Sequence, residues 1–297
     1  MGKISVGMDT FKMSDLSSSK SGQRPNCAAD WTTSPLHGQA RDIQDMTFDV
    51  AGHKVSVTSA SRAELFDLFR DMLAKRSGFA VATLNLDHLV KLYEDPEFRT
   101  AYSAHDIVLA DGNPIVWLSR LAGRPVAHMP GSDLIEPVCA IAAELGVPIA
   151  FIGSTQDVLD KAAIRLQARL PELKIVARIA PPMGFDPDSP QAKDVLKQAQ
   201  AAGAQLCLLA LGAPKQERFA IYGRTTVPDM GFISIGAGLD FLARAQMRAP
   251  RILRMVALEW LWRMLGNPRR LAWRYVKCAL ILPRHAVQAA KSRTPRR

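Results

Sequence analysis

The sequence predicts a doubly wound α/β fold built on a mostly parallel sheet. Two observations indicate it: short apolar runs alternate with amphipathic segments between residues 79 and 236, and most of these runs end at Gly, Asn or Asp. Buried strands alternating with helices at this spacing are typical of a parallel sheet covered by helices on both faces. With 297 residues, 48% of them hydrophobic, the chain can bury one large core or two modest ones.

The predicted elements follow one another in a Rossmann-like order. A β-hairpin is expected over residues 46–59, because apolar and polar residues alternate on both sides of Gly52. Ser61 and Glu64 form a capping box that opens the first helix. The strands of the sheet are predicted at residues 79–84, 107–110, 148–152, 174–179, 205–211 and 231–236. Further helices are predicted from the capping residues Asn113, Ser132 and Ser154, over 191–202, and from Pro214 onward.

The positive charge of the chain is concentrated at its C-terminal end. Residues 246–297 contain thirteen Lys and Arg and one acid, Glu259, whereas the whole chain has a net charge of +10. We therefore expect three parts: a disordered N-terminal extension (1–44), an α/β domain (45–245) and a basic helical appendage (246–297). Such a basic segment indicates an anionic partner, which could be a membrane, a nucleic acid or a phosphate group.

The appendage also carries three tryptophans among its basic residues. Residues 251–265 and the segment after Pro268 both predict amphipathic helices, which are typical of proteins that bind an anionic membrane surface. Packing of the apolar faces on the domain explains the same pattern, and the two interpretations are compatible. The sequence has neither the apolar core of a signal peptide nor the ~18 apolar residues needed to cross a bilayer. We expect a cytoplasmic protein bound peripherally to the inner face of the cell membrane.

Polar residues at the ends of the predicted strands are the candidate site. Asp111 follows a buried strand, where partial burial of a carboxylate suits a general base, although turn aspartates are common there. Thr83 and Asn85 face the same side of the preceding strand and could bind sugar hydroxyls. Gly212 ends a third strand and is followed by three consecutive hydrogen-bonding residues, Lys215, Gln216 and Glu217. Ligands of open α/β sheets bind at this edge, but a solvated helix start has the same composition.

Several common functional motifs are absent from the sequence. It has no G-x-G-x-x-G, no G-x-x-x-x-G-K-[ST], no G-x-S-x-G and no H-E-x-x-H. Asp186 and Asp188 have the spacing of a metal-bound nucleotide-sugar site but lie in a Pro-rich loop, so we interpret them as a turn. The four cysteines are widely separated, which indicates buried thiols rather than metal ligands. A nucleotide leaving group without a metal requires Arg or Lys, which the appendage supplies.

Six motifs in this order resemble a known family. They are Thr83-x-Asn85, Ala110-Asp111-Gly112, Pro130-Gly131-Ser132-Asp133, the run from Leu211 to Glu217, the run from Gly236 to Asp240, and the segment from Arg248 to Arg270. Over about residues 46–280, the chain is similar to the WecG/TagA/CpsF glycosyltransferases, glycosyltransferase family 26. The run from Leu211 to Glu217 and the Glu-Trp-Leu segment at Glu259 are the most specific parts of the match.

The resemblance implies an inverting transferase that needs neither a metal nor a cofactor. It would move a hexose or N-acetylhexosamine, such as ManNAc or glucose, from a UDP-sugar to a polyprenyl-diphosphate-linked saccharide in exopolysaccharide or cell-surface polysaccharide biosynthesis. The resemblance makes Asp111 the base, and it makes Thr83, Asn85 and Gln216 pocket residues. Further substrate-binding positions lie within or beside the matching motifs: Gly112, His128, Gly131, Asp133, Gly212, Lys215, Glu217 and Asp240.

The resemblance also implies that arginines of the appendage complete the site. Arg263 and Arg270 correspond to arginines that stabilise the departing UDP, and Arg274 lies one residue beyond the position of a third. Many relatives carry Arg where this chain has His128, which weakens that position as a constant positive contact. Residues 1–44 have no counterpart.

Two other functions are compatible with the sequence. A nucleic-acid-binding protein with a basic tail would bind in a strongly salt-dependent way, but no nucleic-acid motif is present, so we expect no nucleic-acid partner. A nucleotide-binding regulator without catalytic activity would bind UDP and transfer nothing. The transferred sugar, the acceptor and any homo-oligomer are left open by the sequence.

Overall fold

The computed structural model describes residues 45–246, Pro250, 259–266 and 268–293 of the chain. The side chains of Glu259, Arg263 and Arg270 are outside this description. The predicted N-terminal extension lies outside the described residues, as does the first half of the predicted helix over 251–265.

The centre of the molecule is a six-stranded, entirely parallel sheet with the strand order β4-β3-β8-β7-β5-β6. Its strands are β3 (Phe79–Leu84), β4 (Ile107–Ala110), β5 (Ile149–Gly153), β6 (Ile175–Ile179), β7 (Leu206–Ala210) and β8 (Gly231–Ser234). All except the edge strand β6 are buried along their whole length, which explains why they are continuous apolar runs in the sequence. The predicted parallel α/β fold is confirmed.

The predicted hairpin is also confirmed, as the antiparallel pair β1 (Met46–Val50) and β2 (His53–Val57). Its inward-facing residues join a core cluster that includes Leu84 and Ala110 from the ends of β3 and β4. A second cluster lies around β5, β7 and β8. The hairpin therefore supports the half of the sheet in which β3 and β4 lie.

The described helices flank the sheet and come before, between and after its strands in the sequence. They are α1 (Arg62–Ala74), α2 (Leu86–Glu94), α3 (Pro96–Ser103), α4 (Asn113–Leu121), α5 (Gly131–Glu144), α6 (Gln156–Arg169), α7 (Pro190–Ala201), α8 (Lys215–Thr226), α9 (Gly238–Leu242), α10 (Glu259–Gly266) and α11 (Pro268–Lys291). The capping box that opens α1 forms as predicted, with Ser61 and Glu64 each accepting the other's backbone N–H.

Three predicted N-caps are wrong by one or two residues. Gly112, rather than Asn113, precedes α4, and its φ of +90° is a conformation that suits only glycine. α5 begins at Gly131, before Ser132, because the absence of a side chain there lets the helix start against β8. α6 is capped by Thr155, which accepts the Val158 N–H, while Ser154 is held in a left-handed turn at φ +58°.

The last helix, α11, packs on α2 and α4 along one of its faces. The buried residues Leu271, Cys278 and His285 recur at seven-residue intervals and form that face. Another set, including Trp273, Leu280 and Val287, remains more than half exposed. One face of α11 therefore packs on the domain, as expected if the apolar residues of the appendage pack against it. A second apolar face of the same helix remains exposed. Within the described ranges, no helix is both long and apolar enough to span a bilayer.

Candidate functional site

The candidate residues gather where the strands of the parallel sheet end. β3 lies between β4 and β8, and β7 follows β8, so that the carboxyl ends of these four strands are consecutive along one edge. Asn85 and Asp111 directly follow β3 and β4, while Gly212 and Gly236 each lie two residues beyond β7 and β8. The sequence motifs are therefore brought together by the strand order, at the edge where α/β proteins bind ligands.

Asp111 is oriented by the strand next to its own. Its backbone N–H donates to Leu84 O (2.8 Å), which extends the ladder between β3 and β4 by one residue. Its Oδ2 accepts a hydrogen bond from Asn85 Nδ2 at 3.3 Å, and the side chain remains partly exposed. A partly buried carboxylate with one oxygen held by a neutral donor can accept a proton from a bound hydroxyl.

Asn85 has a structural role in addition to this contact. Its Oδ1 accepts the His88 N–H at 2.9 Å and thereby caps the N-terminus of α2, while its amide nitrogen contacts Asp111. The sequence suggested that Asn85 could bind sugar hydroxyls, but both ends of its side chain already have protein partners. Its clearest contribution is therefore to the position of Asp111. Thr83, two residues earlier in β3, is only 4% exposed.

His128 contacts the residue after Asp111. The Gly112 N–H donates to His128 Nε2 at 3.1 Å, and the Met129 N–H donates to Ala110 O at 2.8 Å, which ties this loop to the end of β4. His128 therefore holds the backbone of Gly112 in place directly beside Asp111.

The turn after β7 is joined to the end of β8 by Gln216. Its Oε1 accepts the Gly236 N–H at 3.2 Å and its Nε2 donates to Glu217 Oε1 at 2.8 Å. Gln216 is 2% exposed, so that its amide holds two strand ends together from inside the protein. Gly212 has a φ of +72° at the start of the turn, and Lys215 lies half-buried at the beginning of α8.

Glu217 is a fully buried carboxyl group behind this turn. Burial raises its pKa from 4.5 to about 7, against the opposing effects of Gln216 and Lys91. Its Oε2 has no hydrogen-bond partner among the described residues. The nearby Tyr102 is also buried, and after burial itself the charges of Glu217 and Asp111 raise the pKa of its phenol. A protonatable interior group thus lies behind the strand-end edge, a feature that the sequence did not indicate.

On the other side of the edge, α5 approaches β8 closely at Gly131. A Cβ at this position would lie 2.9 Å from both Ile235 Cα and Ser234 O, so only glycine allows the approach. Asp133 lies in the first turn of the same helix. Asp240, on α9, accepts a hydrogen bond from Ser154 Oγ at 3.1 Å.

Ser154 is a residue of this edge that the site prediction missed. It directly follows β5 and adopts φ +58°, an uncommon conformation for a residue other than glycine, and it contacts Asp240 from the matching Gly236-to-Asp240 motif. Gly153 and Ser154 follow a predicted buried strand, as the other strand-end site residues do. The sequence around Ser154 also fits a helix N-cap, and Ser154 was therefore predicted to cap a helix.

The appendage arginines named by the resemblance lie on the two C-terminal helices. Arg263 and Arg270 belong to α10 and α11, and their side chains lie outside the described residues. Arg274 Nε lies 2.9 Å from Asp87 Oδ1, on the first turn of α2. Arg274 therefore contacts the first turn of α2, two residues from Asn85.

The sequence profile of the Glycosyl transferase WecG/TagA/CpsF family matches residues 49–297. The chain belongs to this family. The match begins within β1 and covers the sheet, the strand-end residues and both C-terminal helices, in agreement with the resemblance of the six motifs. This glycosyltransferase therefore functions in cell-surface polysaccharide synthesis, where it uses a sugar donor and a saccharide acceptor.

Proposed function

We propose that this glycosyltransferase transfers a hexose or N-acetylhexosamine, such as ManNAc or glucose, from a UDP-sugar to a polyprenyl-diphosphate-linked saccharide. The transfer inverts the anomeric centre and requires no metal. The observation that carries the proposal is the carboxylate of Asp111 at the strand-end edge, partly exposed and held by Asn85. The family supplies the reaction class, and the chemistry of a single oriented carboxylate favours inversion by direct displacement.

In the proposed step, one oxygen of Asp111 removes the proton from the acceptor hydroxyl. The hydroxyl oxygen attacks the anomeric carbon from the side opposite UDP, and the bond between that carbon and the UDP oxygen breaks. UDP leaves with the electron pair, and the proton remains on Asp111 until solvent removes it. Negative charge accumulates on the diphosphate, which cations stabilise. Arg263 and Arg270 are proposed for this role because they match the appendage arginines of the family motif.

The location that we propose is the inner face of the cell membrane, where the protein is bound peripherally through its basic appendage. The exposed apolar residues of α11 and the excess of Lys and Arg in residues 246–297 support this location. The chemistry agrees with it, because the donor is a water-soluble nucleotide sugar and the acceptor is a lipid. An enzyme at the membrane surface can reach both.

The decisive assay measures UDP release from a panel of UDP-sugars with a polyprenyl-diphosphate-linked saccharide as acceptor. The wild-type enzyme should release UDP with at least one donor, only when the acceptor is present and without added divalent metal. Asp111→Asn should lose at least about a thousandfold in turnover while it keeps its thermal unfolding temperature and its affinity for UDP. Near wild-type turnover of Asp111→Asn would show that this carboxylate is not the base, and UDP binding without any transfer would favour a regulator.

A further inference from the structure

Asp87 lies at a junction of three parts of the molecule. It belongs to the first turn of α2, two residues beyond Asn85, and its side chain is only 10% exposed. Its Oδ2 lies 2.9 Å from Lys91 Nζ on the next turn of the helix, and its Oδ1 lies 2.9 Å from Arg274 Nε on α11. One nearly buried carboxylate is thus shared by two cations, one from its own helix and one from the appendage.

Lys91 extends this junction to the turn after β7. Its Nζ donates to Ala213 O at 3.1 Å, and Ala213 lies between Gly212 and Pro214 in the turn that Gln216 joins to β8. Lys91 also acts on the buried carboxyl of Glu217: burial raises the pKa of this group, and the charge of Lys91 opposes the rise. The Asp87 carboxylate therefore connects α11 with two walls of the strand-end edge: the α2 N-terminus, which carries Asn85, and the turn after β7.

A second ion pair between the same two helices provides a comparison. Lys277 Nζ lies 2.6 Å from Glu94 Oε1, where α2 ends, far along the helix from Asn85. Both side chains are well exposed, at 36% and 53%, so water screens the pair and its expected contribution is about 0–1 kcal/mol. Asp87 is much less exposed, and removal of a cation from a nearly buried carboxylate is costly. Of these two ion pairs, loss of the Asp87–Arg274 pair is therefore the one that can change the position of Asn85.

We propose that Asp87 is a positioning residue that couples the docking of α11 to the geometry of the reaction site. When Arg274 lies against Asp87, the first turn of α2 is fixed, and Asn85 then holds Asp111 in its orientation. Lys91, oriented by the same carboxylate, fixes the turn that carries Gln216. The inference rests on the proposed function of Asp111, and it assigns Arg274 to docking rather than to contact with the UDP diphosphate.

The test uses full-length protein and a double-mutant cycle of Asp87→Asn and Arg274→Gln, with Glu94→Gln and Lys277→Gln as the matched control pair. Turnover, the KM for the UDP-sugar, binding to anionic vesicles and the hydrogen-exchange rates of the His88 and Asp111 amides are measured for each variant. Each junction variant should lose about tenfold in kcat with little change in KM or vesicle binding, and the two amides should exchange faster. The double variant should be no slower than the worse single variant, and Arg274→Lys should recover part of the loss.

Three results would overturn the proposal: losses that add in the double variant, equal losses in the control pair, or unchanged amide exchange in all variants. Arg274→Gln, at a partly exposed position, keeps the test valid if Asp87→Asn fails to fold. Because amide exchange does not depend on transfer, the coupling can be judged separately from the reaction. If the wild-type enzyme transfers no sugar, the proposed function fails, while the exchange rates still report whether docking of α11 orders the α2 N-terminus.

Discussion

Asn85 Nδ2 donates to Asp111 Oδ2 at 3.3 Å, while Asn85 Oδ1 accepts the His88 N–H at 2.9 Å. One side chain therefore caps α2 and orients the carboxylate that we propose as the base. The two roles use different atoms of the amide, so that a single substitution can separate them. In the substitution Asn85→Asp, one carboxylate oxygen can still cap α2, while the Nδ2 donor is replaced by an oxygen whose negative charge lies beside that of Asp111.

We expect Asn85→Asp to preserve the fold and to impair catalysis at neutral pH. Aspartate is as good an N-cap as asparagine, so the unfolding temperature should change little. The new charge beside Asp111 should raise the pKa of one of the two carboxyls and move the acidic limb of the pH–rate profile to higher pH. The profile of kcat/KM for both proteins measures this shift.

Asn85→Ala is the comparison for that prediction, because it removes both roles together. It should lower stability by about 1 kcal/mol through loss of the cap and also lower turnover. If Asn85→Asp shows the wild-type pH profile, the contact with Asp111 has no influence on the reaction.

Gly131→Ala should destabilise the protein, because the added Cβ would lie 2.9 Å from the backbone of Ile235 and from Ser234 O. Backbone atoms of a central strand cannot move aside easily, and overpacking of this kind costs typically about 1–3 kcal/mol. Gly266→Ala is the matched control, since no described atom outside the neighbouring residues and backbone of its own helix lies within 4 Å of a Cβ at that position. Urea unfolding of the two variants should show a loss for Gly131→Ala and no loss for Gly266→Ala, and equal midpoints would contradict the close approach of α5 to β8.

Glu217 should make the stability of the enzyme depend on pH between about 4.5 and 7. Its pKa is near its ordinary value of 4.5 in the unfolded chain and about 7 in the folded protein, so the folded state binds this proton more tightly. The contribution of Glu217 to stability therefore decreases as the pH rises through this window and levels off above it. Glu217→Gln, which cannot ionise, should be more stable than wild type at pH 8 and similar to it at pH 5.

The measurement is the free energy of unfolding at several pH values for wild type and Glu217→Gln. Glu94→Gln is the control, because that carboxylate is exposed and paired with Lys277 at the surface. A difference between wild type and Glu217→Gln that stays constant from pH 5 to pH 8 would show that Glu217 does not hold a proton in the folded protein.

Much of the fold could be predicted because buried parallel strands leave a strong signal in the sequence. The predicted strands at residues 79–84 and 107–110 coincide with β3 and β4. No element was predicted between them, although α2 and α3 fill most of that interval, because Asn85, which caps α2, was interpreted as a ligand-binding residue at the end of the strand. α9, with five residues, gave only a weak signal.

The partners of the site residues could not be predicted in the same way. Asn85 and Gln216 were identified as polar residues at strand ends, which is correct, but their hydrogen bonds reach residues 26 and 20 positions away. Such pairings depend on the strand order, and a local pattern does not contain it. The contact between Arg274 and Asp87 likewise depends on where α11 docks. The substrate contacts predicted from the resemblance stay predictions.

The exposed apolar residues of α11 predict that this helix binds a membrane surface. Trp273, Leu280 and Val287 are 65%, 72% and 55% exposed and recur every seven residues, so they share one face of the helix. Burial of one large apolar side chain in a membrane interface contributes roughly 1.5–3 kcal/mol. Trp273→Ser combined with Leu280→Ser should therefore reduce binding to anionic vesicles at least about tenfold.

Ile164→Ser is the matched control for this surface, because Ile164 is 68% exposed on α6, outside the basic appendage. Vesicle binding of this control should equal that of wild type, while the double variant of α11 should keep its unfolding temperature because both changes are at exposed positions. Wild-type binding should also weaken with salt and with loss of anionic lipid, since the appendage is strongly basic. Equal binding by the double variant and by wild type would show that this face of α11 does not contact the membrane, and the exposed tryptophan would then require a different partner.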